Sequence, residues 1–223
     1  MGWGDERVNV CFHGIGSPQR PLEPGEARYW ITVDTFHEVL DLLADRPQVR
    51  ISFDDGNASD VEIGMPALVA RGLSATFFPL AGRLDAPGSL STSDLRDLAS
   101  AGMTVGTHGM DHVPWRGLDP ASRHRELVTA RDRLGEAVGM PVDEAALPLG
   151  RYDRQLLNHL RRLGYTRVHT SDRHRARPGS WLQARYSIRS EDTAASFGDT
   201  VLSSPSAGRR VERLLAGTVK RLR

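Results

Sequence analysis

The feature that most constrains the fold is an alternation. Short apolar runs, each ending in Gly, Pro, Asp or His, are followed by stretches of helical periodicity. Val8 to Phe12 reads as a first strand, and Asp34 to Leu43 as a helix capped by Asp34 with Phe36, Val39, Leu40 and Leu43 on one face. Val49 to Phe53 is a second strand, Val61 to Arg71 a helix, and Leu73 to Leu80 a third strand carrying Phe77 and Phe78. Ser91 opens a helix through Ala101, and Met103 to Thr107 is a fourth strand. A helix from Pro120 to Val138, a strand from Ala145 to Leu147, a helix from Arg154 to Leu163 and strands at Tyr165 to Thr170 and Trp181 to Ile188 complete the series. About seven strands with intervening helices predict an α/β fold, a closed or nearly closed parallel barrel rather than an open sheet. Barrels place their chemistry at the carboxyl ends of strands. His13, Asp54, Asp55, His108 and Pro148 all fall there.

Composition narrows the function classes. At 223 residues, with 39% hydrophobic and 26% charged residues, the chain is globular. No apolar stretch approaches the ~18–20 residues of a membrane span. Met1 to Arg7 carries acids and no apolar leader core, and the single cysteine, Cys11, can form no internal disulfide, so a cytoplasmic protein is expected. A metal would have to be held by His and Asp. The net charge of +1 hides an asymmetry, because Arg209 to Arg223 carries +5 and the remainder −4. The body is therefore no nucleic-acid binder. The expected division is a barrel over 1–190, then a polar connection and a basic amphipathic helix over 191–223. Val211, Leu214, Leu215 and Leu222 fall on one face of that helix, which either docks on the barrel or makes weak contact with an anionic membrane surface. Oligomeric state has no signature.

Two motifs carry chemistry. In Ile51-Ser-Phe-Asp54-Asp55-Gly56, adjacent carboxylates at a strand end point in different directions, so one can bind a metal while its neighbour stays free as a base. The same tripeptide also makes an ordinary turn. In Thr107-His108-Gly-Met-Asp-His112, histidines at i and i+4 on a helical turn would face the same way and could share one zinc ion at ~2.0–2.1 Å. Joined with Asp55 they form an Asp-His-His set that leaves a fourth position open, as catalytic zinc requires.

Together with Ala75-Thr-Phe-Phe78 and Pro148-Leu-Gly-Arg-Tyr152, these motifs make the chain resemble the NodB-homology polysaccharide deacetylases, carbohydrate esterase family 4, from about Val8 to Ile188. The resemblance implies a distorted (β/α)7 barrel and a divalent metal (Zn2+, or Co2+, Ni2+ or Mn2+) on Asp55, His108 and His112. It also implies Asp54 as the base and hydrolysis of an N-acetyl group on an amino sugar. Two departures stand out. The arginine that positions the base in the family is replaced here by Ala146-Leu-Pro148-Leu149-Gly150, although the Leu149 N–H can still serve as an oxyanion donor. The family's late-strand acid histidine is also missing from Arg185-Tyr-Ser-Ile188-Arg189. Phe12-His13-Gly14-Ile15 resembles the first-strand segment of the poly-N-acetylglucosamine deacetylases, which implies His13 as the general acid.

Trp115, Arg151, Tyr152 and Arg185 are the expected substrate contacts, with an even choice for Trp115 between sugar stacking and covering the barrel mouth, and a structural ion pair as the alternative for Arg185. Cys11 is expected to be buried packing, His169 and His174 structural or surface, and His37, His124 and His159 on helix surfaces. The expected activity is N-deacetylation of a small or carrier-linked acetamido sugar. Hydrolysis of another amide or formamide, or sugar binding without turnover, are the alternatives.

Overall fold

The structure is a computed structural model that describes residues 6–202. The basic segment expected to form the C-terminal helix lies outside them. Strands β1 (Val8–Phe12), β2 (Gly14–Ile15), β3 (Trp30–Ile31), β4 (Val49–Asp55), β5 (Ala75–Pro79), β6 (Thr104–Val105), β7 (Glu144–Ala146), β8 (Arg167–Thr170) and β9 (Leu182–Ser187) alternate with helices α1 (Val33–Ala44), α2 (Met65–Ala70), α3 (Thr92–Ser100), α4 (Pro120–His124), α5 (Ala130–Val138), α6 (Arg154–Arg162) and α7 (Ala194–Phe197). Seven strands form one sheet in the order β6-β5-β4-β1-β9-β8-β7, all neighbours parallel. The ends meet where Thr107 donates to the Glu144 carbonyl at 3.0 Å and accepts from Ala146 N at 2.9 Å, which closes the barrel. A Cβ on Gly106 would strike the Phe78 ring at this seam, so only glycine fits. The predicted α/β (β/α)7 barrel is the observed one.

Both faces of the strands are covered, so each strand alternates between two interiors rather than between core and water. Val8, Val10 and Phe12 of β1, with Ile51 and Phe53 of β4, pack outward against the helices. Phe53 stacks on Phe77 at 4.7 Å, and Phe12 meets Phe36 of α1 edge-on at 5.0 Å. The intervening residues face the lumen, where Asn9 donates to Gln183 Oε1 (3.0 Å) and Arg185 reaches Ser52 Oγ (3.0 Å). A second apolar cluster forms around α6, with Leu156 and Leu160 against Leu127, Tyr165 and Val168.

Local structure departs from expectation in a few places. Thr32, not Asp34, caps α1, because its side chain accepts from Thr35 N at 3.1 Å. The segment expected as one helix from Val61 begins as a wide π-type turn over Asp60–Gly64, with Pro66 at the first turn of α2 offering no N–H. A second wide turn, Arg125–Thr129, separates α4 from α5 and carries Glu126 inward. Residues after Ser190 were expected to form a surface connection. Instead α7 and the turn Gly198–Leu202 bury Phe197 and Val201 in the main core.

Candidate active site

β4 delivers Asp54 and Asp55 to the carboxyl end of the barrel, and the loop after β6 delivers His108 and His112. Nε2 of each histidine stands 3.6 Å from Asp55 Oδ1. Ligand atoms around a tetrahedral ion at ~2.0–2.1 Å lie roughly 3.4 Å apart, so this spacing matches a shared metal. The ring tautomers agree. His108 donates from Nδ1 to the Ala146 carbonyl at 2.9 Å, and His112 donates from Nδ1 to Glu23 Oε2 at 2.6 Å, leaving both Nε2 lone pairs facing Asp55. Asp55 Oδ1 is buried and has no hydrogen-bond partner among the described residues. An orphaned carboxylate oxygen between two imidazole lone pairs fits a divalent cation and little else. Burial pushes the His108 imidazole down to about 4, against the pull of the Asp54 and Asp55 carboxylates, so it is neutral at physiological pH and available as a ligand.

The two histidines converge, but not through the helical turn expected from their spacing. Residues 107–114 form an irregular loop with Gly109 at φ 89° and His112 at φ 56°. The buried Glu126 carboxylate replaces the missing helix by accepting from Met110 N (2.8 Å), Asp111 N (3.1 Å) and Trp115 Nε1 (3.2 Å). Strain concentrates here. Asp55 (φ 75°), His112 (φ 56°) and Leu149 (φ 55°) are left-handed non-glycine residues, and each of the three costs of order 1–3 kcal/mol that the surrounding contacts must hold.

Asp54 is separately held. Arg185 of β9 clamps it through two parallel bonds, Nη1 to Oδ1 and Nη2 to Oδ2, both 2.7 Å, with both side chains buried. Burial alone would raise the Asp54 carboxyl, but the Arg185 charge and hydrogen bonds outweigh it and hold the group well below the usual carboxylate range. Of the two readings for Arg185, substrate contact or structural ion pair, the structure shows the ion pair, made from β9 across β1 to β4.

His13 lies at the end of β1 beside β9, as barrel closure requires. Its ring stacks on Tyr29 at 4.7 Å, and its Nδ1 is 4.0 Å from Cys11 Sγ. Ligand atoms of His13, Cys11 and Asp54 lie within 4.8 Å of one another, so His13 borders the Asp54 carboxylate. Leu149, 55% exposed, sits on the turn after β7, three residues past the carbonyl that holds His108.

The structure buries three of the four expected substrate contacts, which leaves Trp115 and Arg185 with their structural readings. Trp115 is 1% exposed and spends its N–H on Glu126, so it offers no open ring face to a sugar. Tyr152 is 2% exposed and donates its hydroxyl to Asp172 at 2.6 Å. Arg151 alone of the four is exposed. Cys11 is buried, as expected, and His169 is a buried partner of Glu144 at 3.0 Å. Glu23 and Glu126 carried no sequence signal, because their partners lie 89 and 16 residues away in irregular loops.

A parallel (β/α)7 barrel with an Asp-His-His cluster at its carboxyl end defines a class of hydrolase scaffold, and the comparisons name the family. The polysaccharide deacetylase profile matches residues 43–168, more than half of the chain, and the chain belongs to that family. The polysaccharide deacetylase homologue YxkH of Bacillus subtilis strain 168 is 23% identical over 141 residues, covering 63% of this chain and 50% of that protein. The chain thus spans about half the length of the curated relative it matches. Among solved structures, the deacetylase PplD of Streptococcus pyogenes in complex with acetate superposes with a TM-score of 0.76 at 19% identity, over 90% of this chain and 99% of that one. IcaB from Ammonifex degensii gives 0.72 at 23% identity, over 90% and 98%. These likenesses are of fold.

Proposed function

We propose that this chain is a divalent-metal-dependent hydrolase that removes the N-acetyl group of an amino-sugar-containing substrate in the cytoplasm. A nucleotide sugar, a lipid-linked sugar, an oligosaccharide or a glycosylated metabolite suits that compartment better than cell-wall polymer. The observation that carries the reading is the orphaned Asp55 Oδ1 facing two imidazole Nε2 atoms, beside a second carboxylate held independently of them. Asp55, His108 and His112 would hold the ion, zinc by donor set, which when bound polarises the amide carbonyl and the attacking water.

The chain's own residues supply the rest. Asp54 is ionised throughout the physiological range and takes the proton from water, and Arg185 fixes the direction in which its lone pairs point. The Leu149 N–H donates to the developing oxyanion. The departing amine is too basic to leave unprotonated, and His13, on the Asp54 side of the site, delivers its proton.

The test is metal analysis followed by acetate release from a panel of acetamido sugars. Asp54→Asn should keep its metal and lose ~10²–10⁴ in turnover; parent-like activity would place the base elsewhere. His13→Ala should keep its metal and lose far more amide than activated-ester hydrolysis, since a good leaving group needs little protonation. Equal losses would remove His13 from the acid role. Stoichiometric sugar binding without metal or turnover would mark a binding barrel instead.

A further inference from the structure

At the amino end of the barrel, opposite the metal triad, the lumen opens as a cavity of about 200 Å³. Its mouth is made by the starts of the strands, away from the proposed chemistry, and only its floor reaches Arg185, the partner of Asp54. Arg7, Arg50 and Arg167 line it together with Ser74 and Thr104. Arg167 is paired with Glu144 at 2.6 Å. Arg50 bonds only to the Pro47 and Val49 carbonyls, and neither Arg50 nor Arg7 has a carboxylate partner among the described residues. Burial and the charges of Arg50 and Arg167 push the Arg7 guanidinium below its ordinary value, so the three cations crowd one another. Glu144 lines the same cavity and answers Arg167, so Arg7 and Arg50 are the guanidinium groups that a guest anion would join.

The deep part of the same cavity is lined by Arg185 and His169, 2% and 6% exposed. Arg185 spends its Nη atoms on Asp54 and Ser52, leaving Nε–H buried without an acceptor among the described residues. His169 donates Nε2–H to Glu144, leaving Nδ1 buried without a donor among the described residues. A buried donor and a buried acceptor, both unpartnered, call for a guest that can accept one hydrogen bond and donate another.

We propose that the amino end of this barrel is a binding site for a phosphate-class oxyanion. Its charged oxygens take the Arg7 and Arg50 guanidinium groups, where planar donors match an oxyanion two bonds at a time. Its protonated oxygen, with the water around it, serves the polar atoms of the floor. The cavity accommodates inorganic phosphate or the phosphoryl end of a phosphorylated metabolite, and the site stands apart from the metal triad, sharing only Arg185 with the proposed chemistry.

Calorimetric titration of the full chain, stripped of metal and held at constant ionic strength, decides it. Inorganic phosphate and glucose 6-phosphate are the two probes, with chloride as the reference ion. One equivalent of either probe is expected to bind, and the tighter of the two names the source of the phosphoryl group. Arg7→Gln with Arg50→Gln should weaken binding at least tenfold. Ser74→Glu, which puts a carboxylate at the exposed mouth without removing an arginine, should do the same, with circular dichroism confirming the parent fold. Asp55→Asn should bind as the parent does. No binding of either probe at millimolar concentration overturns the site, as does binding that survives Ser74→Glu or vanishes only in Asp55→Asn.

Discussion

On β1 and β4 the two faces of the same strands carry opposite chemistry. Outward, Val8, Val10, Phe12, Ile51 and Phe53 meet the helices in a dry aromatic and aliphatic layer. Inward, Asn9, Ser52 and Asp54 meet Gln183 and Arg185 in a polar lumen that is equally buried. Both faces are buried, yet only the outer one gains from burial, at roughly 25 cal/mol per Å² of apolar surface. The lumen must recover the cost of desolvating charges through pairing, and Asp54 and Arg185 are accordingly joined by two bonds. The division of labour is clear. The outer layer stabilises the barrel, and the lumen uses that rigidity to hold groups whose burial destabilises it.

The largest expected effects separate the two layers by matching their stability losses and comparing activity. Arg185→Gln leaves the Asp54 carboxylate buried without its counter-charge, which should cost about 3–5 kcal/mol in urea unfolding. Phe53→Ala removes a ring stacked on Phe77 and should cost a similar ~3–5 kcal/mol. Their activities should diverge, because turnover per folded molecule is expected to collapse in Arg185→Gln and to stay near the parent value in Phe53→Ala. Equal loss of specific activity in both would erase the distinction between the layers.

A smaller effect is expected from pH. The folded His108 has its pKa lowered to about 4, against ~6.5 in an unfolded chain, so between those values the unfolded state binds the extra proton. Stability of the metal-free protein should therefore be full above pH ~6.5 and fall on the order of 3 kcal/mol as pH drops toward 4. His169, also pushed down by burial, adds in the same sense. Asp54 acts at lower pH, since its depressed pKa contributes stability that is present above the unfolded value and lost only under strong acid. His108→Gln should flatten the slope between pH 6.5 and 4. An unchanged slope would show that the His108 ring is not buried neutral.

What the sequence made legible follows the same division. Every strand of the barrel could be located within a few residues because apolar periodicity is a local signal, and Val8–Phe12 matches its expected span at both ends. The Asp-His-His set was also legible, since its members sit in two short motifs. Partners were not. Arg185 read as either a substrate contact or one half of an ion pair, and its partner Asp54 could not be named because the bond spans 131 residues and depends on barrel closure. The helical turn assumed for His108 and His112 failed for a related reason: spacing of four suits a helix, but Gly109 and a carboxylate arriving from Glu126 dictate a loop. Trp115 shows the same blindness, its burial being set by that carboxylate and not by its neighbours in sequence.

The smallest of these effects lies at Glu23, where the polar lumen meets the loop above it. Its carboxylate accepts from His112 Nδ1 and pairs with Arg83, so it fixes the ring orientation of one expected metal ligand without touching the metal position itself. Partners of this kind typically contribute 10–100-fold to metal affinity, or about 1.4–2.7 kcal/mol. Glu23→Ala should weaken zinc binding by that factor, measured by competition with a chromogenic chelator, and should leave urea stability of the metal-free protein nearly unchanged. Glu23→Gln keeps an acceptor oxygen for the imidazole and should recover most of the affinity. Because Glu23 is itself partly open to solvent, a large stability loss in Glu23→Ala would mean that the loop, rather than the ligand, depends on it, and the boundary between scaffold and site would then lie higher than the barrel mouth.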